Sequence, residues 1–206
     1  MFWKKTTTSR YYISPQFLWL VKGMTVGMLK DIELLQFPDE RLRRLSEPVE
    51  NFDEELKLLS KEMLKIMYQS NGIGLAAPQV NKTVRMIVLD VSEKRNEPMV
   101  LVNPRLEKVT GNVDSSEGCL SVPEIRATVE RYKQIELCAQ NIDGSEIRME
   151  ADELLSICIQ HEIDHLDGKL FIDYVPNVKL QRLRKKIAKQ KKLSSQKPQG
   201  TSVSIV

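Results

Sequence analysis

QHEIDHLDGKLF, residues 160–171, holds both histidines of the chain, His161 and His165, with Glu162 between them. Four residues make about one helical turn, so on a helix both imidazoles leave the same face. The stretch that leads into it, DELLSICIQ (152–160), places Leu155 and Ile159 on an apolar surface that Leu166 continues, and Gly168 supplies a stop. A helix from Asp152 to about Gly168 is predicted. His-Glu-x-x-His on a helix has a mechanism behind it: two imidazoles bind one metal, and the Glu accepts a proton from activated water. The bland alternative is a surface helix that happens to carry His and acids. Placing the whole histidine supply in this motif favours the metal.

A catalytic metal needs a third protein ligand. In one familiar protease pattern a His stands three residues after the Gly, but here that position is Phe171. In another a Glu lies downstream, yet no Glu follows His165. That leaves the cysteines and aspartates. Cys158 lies seven residues before His165, about 10 Å below it along a helix axis, so its short side chain cannot reach a metal bridging the two His. It is read as a small apolar residue or a pocket wall. Cys138 falls in a strand and is a weaker candidate. Cys119, in EGCLSVP, follows a glycine that permits close backbone approach, and a loop can bring it against the helix from outside. Cys119, His161 and His165 are therefore the preferred ligand set.

The rest of the chain reads as one α+β domain, with mixed or antiparallel strands packed around the His-bearing helix and further helices toward each end. Residues 53–70 carry Leu56, Leu59, Met63, Ile66 and Met67 at helical spacing, with Asn51 or Asp53 as N-cap. Residues 71–80 (NGIGLAAPQV) read as a loop from their glycines and Pro78. Residues 84–91 and 98–104 read as strands, and 111–123 as a loop leading into a short extended piece. Strands at 126–140 and 145–150 flank a hairpin turn, NIDGS. A last helix, 177–192, is basic with Val178, Leu180, Leu183 and Ile187 on one side, and 193–206 looks disordered.

At 206 residues the chain suits a single core. No run reaches the ~18 apolar residues of a membrane span, and no membrane association is expected. Three cysteines, an odd count without framework spacing, argue for a reducing compartment. The net charge of +3 hides an asymmetry: 28 acids and 17 Lys/Arg lie within 31–178, whereas 1–30 and 179–206 contain no acid. An acidic body with basic ends suggests surfaces with different jobs. Residues 1–27 read as an N-terminal extension. A targeting peptide for an organelle is one reading of 1–23; an upstream start, with Met24 or Met28 as the real beginning, is preferred because no amphipathic Arg-rich helix is evident.

GIGLAAPQ (72–79), EGCLS (117–121) and QHEIDH (160–165), in this order and spacing, together resemble the three signature motifs of the peptide deformylases. The resemblance covers about residues 28–192, with 28–176 as the catalytic domain. It implies a metal-dependent hydrolase that removes the formyl group from the N-terminal formyl-methionine of nascent polypeptides and releases formate. It implies Cys119, His161 and His165 as metal ligands, Glu162 as general acid/base, and Gln79 with the backbone N–H of Leu120 as donors to the formyl oxygen. It also implies that the backbone of Ile73 and Gly74 pairs with the substrate peptide, and that Leu154, Ile157 and Cys158 belong to the methionine pocket. A Cys/His/His set alone suggests Zn²⁺; the resemblance implies Fe²⁺, with Zn²⁺, Ni²⁺ or Co²⁺ able to occupy the site. The basic helix resembles one by which bacterial deformylases dock on the ribosome near the nascent-chain exit, which makes Arg184, Lys185, Lys186 and Lys189 expected phosphate contacts. A monomer in the bacterial cytoplasm is expected. Two rivals remain at this point: a metallopeptidase of another kind, which would need a third ligand other than Cys119, and a non-catalytic RNA-binding protein with a degenerate metal site.

Overall fold

A computed structural model describes residues 32–176 and 180–181. Its centre is a five-stranded antiparallel sheet in the order β1 (Gly74–Ala76), β2 (Met86–Leu89), β3 (Met99–Cys119), β4 (Val122–Gln140) and β5 (Glu146–Asp152). Two helices, α1 (Glu54–Gln69) and α2 (Glu153–Leu166), cover it.

The strand alternation explains how. In β2, Met86 and Val88 pack with Leu56, Leu59, Met63 and Met67 of α1. Their neighbours Ile87 and Leu89 point the other way and pack with Cys158, Ile159 and Leu166 of α2. A strand covered on both faces has no polar side, which is why MIVL is apolar throughout. β1 follows the same alternation: Leu75 joins the α1 side and Ala76 the α2 side. Gly74 therefore faces α2, and β1 is one edge of the sheet.

α1 is the predicted amphipathic helix. Of the two candidate caps Asp53 takes the role, its carboxylate accepting from Leu56 N–H at 2.9 Å. α2 starts one residue after Asp152 and stops before Gly168, whose φ of +69° suits glycine. A side chain there would also meet the Arg43 carbonyl oxygen at 2.5 Å. The hairpin turn at 141–145 forms as expected, closed by Asn141 N–H to the Ser145 carbonyl.

Two expectations need correction. Residues 111–119 are not a loop: β3 runs on to Cys119 paired with β4, with a register shift between Gly118 and Cys119. Serine, aspartate and glycine weaken the strand signal there, but pairing with the apolar, alternating 125–131 stretch overrides it. Residues 71–80 are only partly a loop, since 74–76 form β1 and 77–80 a short 3-10 turn. The expected basic helix lies almost wholly outside the described residues. Leu180 and Gln181 are helical, and Leu180 packs on a third apolar cluster around Phe171, Ile172 and Val175. The expected N-terminal extension and C-terminal tail also lie outside. Among the described residues no helix is long and apolar enough to cross a membrane.

Candidate active site

α2 presents His161 and His165 one turn apart, with ring centroids 5.0 Å from each other. The end of β3 brings Cys119 against them, and its Sγ lies 3.2 Å from His165 Nε2. The ligand atoms of Cys119, His161 and His165 all fall within 4.8 Å of one another. Among the described residues this is the one such grouping, and neither Cys138 nor Cys158 joins it. A thiolate with two imidazoles is a donor set for a divalent transition metal, and three protein ligands leave a position open for chemistry. Burial, then the charge on His161, holds the His165 pKa well below the usual value. Its Nδ1 is buried without a partner.

His161 is held from behind. Glu117 stands two residues before Cys119 on β3, so both point to one side of the strand. Its Oε2 lies 2.7 Å from His161 Nδ1, which turns the other ring nitrogen toward Cys119. Arg131 of β4 grips the same carboxylate with two bonds, from Nε at 2.7 Å and Nη2 at 3.0 Å. Its Nη1 donates to Asp164 on α2 at 2.6 Å, and the Tyr174 hydroxyl donates to the same carboxylate at 2.9 Å. Burial would raise the Glu117 pKa, but the bonds from His161 and Arg131 outweigh it and lower it. These partners were not singled out by sequence reasoning. The signal for Arg131 was present: Ile125, Ala127, Val129 and Arg131 share one strand face, and a charge in an inward, otherwise apolar register calls for buried partners.

Glu162 faces the cleft side of α2 and is buried. Burial pushes its carboxyl up to about 7. Oε2 has no partner, and Oε1 lies so close to Gly74 that any Cβ there would come within 2.4 Å of it. The same Cβ would meet Cys158 Sγ at 2.8 Å. Glycine at 74 thus lets the sheet edge lie directly on the acid. Gln79, also buried, accepts from Ala76 N–H through Oε1 at 2.8 Å. This fixes its amide so that Nε2 faces Ser121 Oγ, at 3.1 Å, and Cys119 Sγ, at 3.5 Å.

An open cleft of about 650 Å³ runs along these groups. Ile73, Gly74, Gln79, Cys119, Leu120, Leu154, Ile157, Cys158, His161 and Glu162 all line it, and His165 lies buried behind. Leu154 and Ile73 are exposed at its mouth, whereas Cys158 forms the wall against Gly74. All the site residues named from the sequence therefore meet at one place except Arg184, Lys185, Lys186 and Lys189, which lie outside the described residues.

The sequence model of the polypeptide deformylase family matches residues 32–181. The chain belongs to the peptide deformylase family. It is 53% identical over 163 residues to the peptide deformylase of Pseudoalteromonas translucida, covering 79% of this chain and 98% of that one. The Hamiltonella defensa peptide deformylase is 48% identical over 166 residues, covering 81% and 97%. Among solved structures, a peptide deformylase from Legionella pneumophila superposes with a TM-score of 0.77 at 41% identity, over 81% of this chain and 99% of that one. A cyanobacterial one, from Synechococcus elongatus in complex with actinonin, gives 0.73 at 39%, over 78% and 90%. A peptide deformylase is a metal-dependent hydrolase that removes the N-formyl group from the formyl-methionine of nascent polypeptides, releasing formate, and this is the activity of the chain. The metallopeptidase and RNA-binding rivals fall with that assignment.

Proposed function

We propose that the deformylation is carried out at the Cys119–His161–His165 cluster with Glu162 as the general acid/base. The observation that carries this reading is the buried Glu162 carboxylate, one oxygen unpartnered, on the helix that supplies two of three convergent metal donors. A divalent cation held by Cys119, His161 and His165, Fe²⁺ in our reading with Zn²⁺, Ni²⁺ or Co²⁺ as substitutes, supplies a Lewis acid that acidifies water at neutral pH. Glu162 takes the proton of the attacking water and returns it to the leaving nitrogen, a task suited to a carboxyl raised to about 7. Gln79 Nε2 and Leu120 N–H donate to the formyl oxygen as it gains charge; losing one such donor typically costs about 10²–10³ in rate.

The peptide binds along the open edge of β1. The Ile73 carbonyl already accepts from Asp90 N–H at 2.9 Å, so it faces β2. Extended backbone alternates, and Ala76 N–H, two residues on from Gly74, is turned away from β2 and capped by Gln79. Gly74 shares that outward direction and offers its N–H and C=O to an added strand. The Ile73 side chain stands beside it at the cleft mouth, and the methionine side chain enters between Leu154, Ile157 and Cys158. The acting unit in this reading is a monomer.

The catalytic domain is assigned to 28–176, with 1–27 an extension, 177–192 a basic helix and 193–206 a tail. The basic helix contacts ribosomal RNA near the exit tunnel in the bacterial cytoplasm. Its support is the run KLQRLRKKIAKQKK, acid-free and rich in Lys and Arg. Neutralising Arg184, Lys185, Lys186 and Lys189 is expected to weaken ribosome binding and its salt dependence, with turnover of free formyl-peptide kept; unchanged ribosome binding would remove this part of the reading.

The test of the chemistry is formate release from formyl-Met-Ala-Ser by protein purified anaerobically with Fe²⁺, beside a Glu162→Ala variant that retains metal. The expected result is turnover in the first and a loss of several orders of magnitude in the second. Comparable rates in both would dismiss Glu162 as the acid/base.

A further inference from the structure

The segment that precedes the substrate edge is tied down group by group. Asn71, at φ +55°, ends α1, and Gly72 N–H donates back to the Met67 carbonyl at 2.9 Å. The Gly72 carbonyl accepts from Arg95 Nη2 at 2.5 Å. Arg95 Nη1 also reaches Asn71 Oδ1, at 3.5 Å, and its guanidinium lies 5.4 Å over the Tyr68 ring. The Tyr68 hydroxyl donates to Asp90 at 2.6 Å. Asp90, fully buried, also accepts from Ser92 N–H and Oγ and from Glu97 N–H, and gives its own N–H to Ile73. Gly72 therefore has both backbone groups occupied and Ile73 its carbonyl, so Gly74 is the first residue along the edge turned outward. The β2–β3 loop, through Arg95 and Asp90, holds this arrangement across 23 positions of sequence.

We propose that Arg95 is a positioning residue for the substrate main chain: by holding the Gly72 carbonyl and stacking on Tyr68, it fixes the angle at which Gly74 offers its backbone to the peptide. The proposal rests on the reading of β1 as the substrate edge. Arg95 acts through Gly72 and does not itself line the cleft, so the chemistry does not depend on it directly. Its effect grows with the length of main chain the substrate lays along β1. A pre-organised edge spares the substrate the cost of ordering it, and losing that order appears as weaker binding with chemistry intact.

The test uses the metal-loaded full chain, two substrates and two variants. Arg95→Met keeps the stem over Tyr68 and removes both bonds. Arg95→Lys keeps one donor in reach of Gly72. Wild-type enzyme is expected to process formyl-Met-Ala-Ser with a far higher kcat/KM than formyl-methioninamide, which lacks the following residues. Equal values would overturn the edge reading itself. Given that preference, Arg95→Met is expected to raise KM for the tripeptide about tenfold, in line with one charge-assisted bond. Its kcat should stay within about twofold and its action on formyl-methioninamide should be unchanged. Arg95→Lys should recover part of the loss. Backbone amide exchange at residues 72–74 should quicken in Arg95→Met while α2 keeps its protection. Equal losses on both substrates, no loss on either, or unaltered exchange at 72–74 would overturn the role of Arg95.

Discussion

Helices α1 and α2 pack on opposite faces of one sheet, yet they bury different chemistry. The inward face of α1 is Leu56, Leu59, Met63 and Met67, with Ser60 its one buried polar residue. α2 buries Ser156, Gln160, His161, Glu162, Asp164 and His165 beside Cys158, Ile159 and Leu166. α1 is held by removal of apolar surface from water, a non-directional force that only asks for volume. α2 is held in part by partners that must each be in place: Glu117 for His161, Arg131 for Asp164, and Tyr132 backbone for Gln160 and Ser156. The difference separates a helix that supports the site from a helix that is the site. On the second, the proposed role of Glu162 implies that stability is given up where chemistry needs an unpaired group.

Substitutions can sharpen that contrast, and the largest effect is expected where buried charge loses its partner. Arg131→Met leaves Glu117 and Asp164 facing each other without a cation, which should destabilise the protein by about 3–5 kcal/mol in denaturant unfolding. It should also speed metal loss to a chelator, because Glu117, which braces His161, loses its own anchor. A loss under about 1 kcal/mol would mean that the network contributes little. Met63→Ala, fully buried on α1, should cost about 2–5 kcal/mol from lost contact and a cavity. The activity per folded molecule should be retained, and a drop in kcat would show that α1 is not the passive support argued here. Asp53→Ala removes the α1 cap and should cost about 1 kcal/mol with no change in rate or metal content.

The contrast also explains what was legible in the sequence. α1 could be read from spacing because apolar burial has a period. α2 could be placed by its His-Glu-x-x-His pattern, and Cys119 by the geometric exclusion of Cys158. The length of β3 was hidden because residues 111–119 are polar and glycine-containing; only pairing with β4, a contact distant in sequence, makes them a strand. Glu117 sat inside a quoted motif, but its role depends on sharing a strand face with Cys119, which the loop reading concealed. Arg131 and Asp164 had no local signal of their partnership, since 33 positions separate them. The outward turn of Gly74 rests on the Asp90–Ile73 bond, which only the folded sheet supplies.

The most direct test of the claim that α2 gives up stability for chemistry is to compare thermal melting of wild-type and Glu162→Gln protein, both metal-free, at pH 8. Burial raises the Glu162 carboxyl from an ordinary value of 4.5 to about 7, so the folded state prefers the protonated form. Its cost to stability therefore grows as pH rises through that window and is fully present above it. Glutamine keeps the shape without the charge. The account predicts that the variant melts at the same temperature or higher, although its metal-loaded form has lost formate release by several orders of magnitude. A variant that melts well below wild type would contradict the account, because Glu162 would then be holding the fold together rather than burdening it.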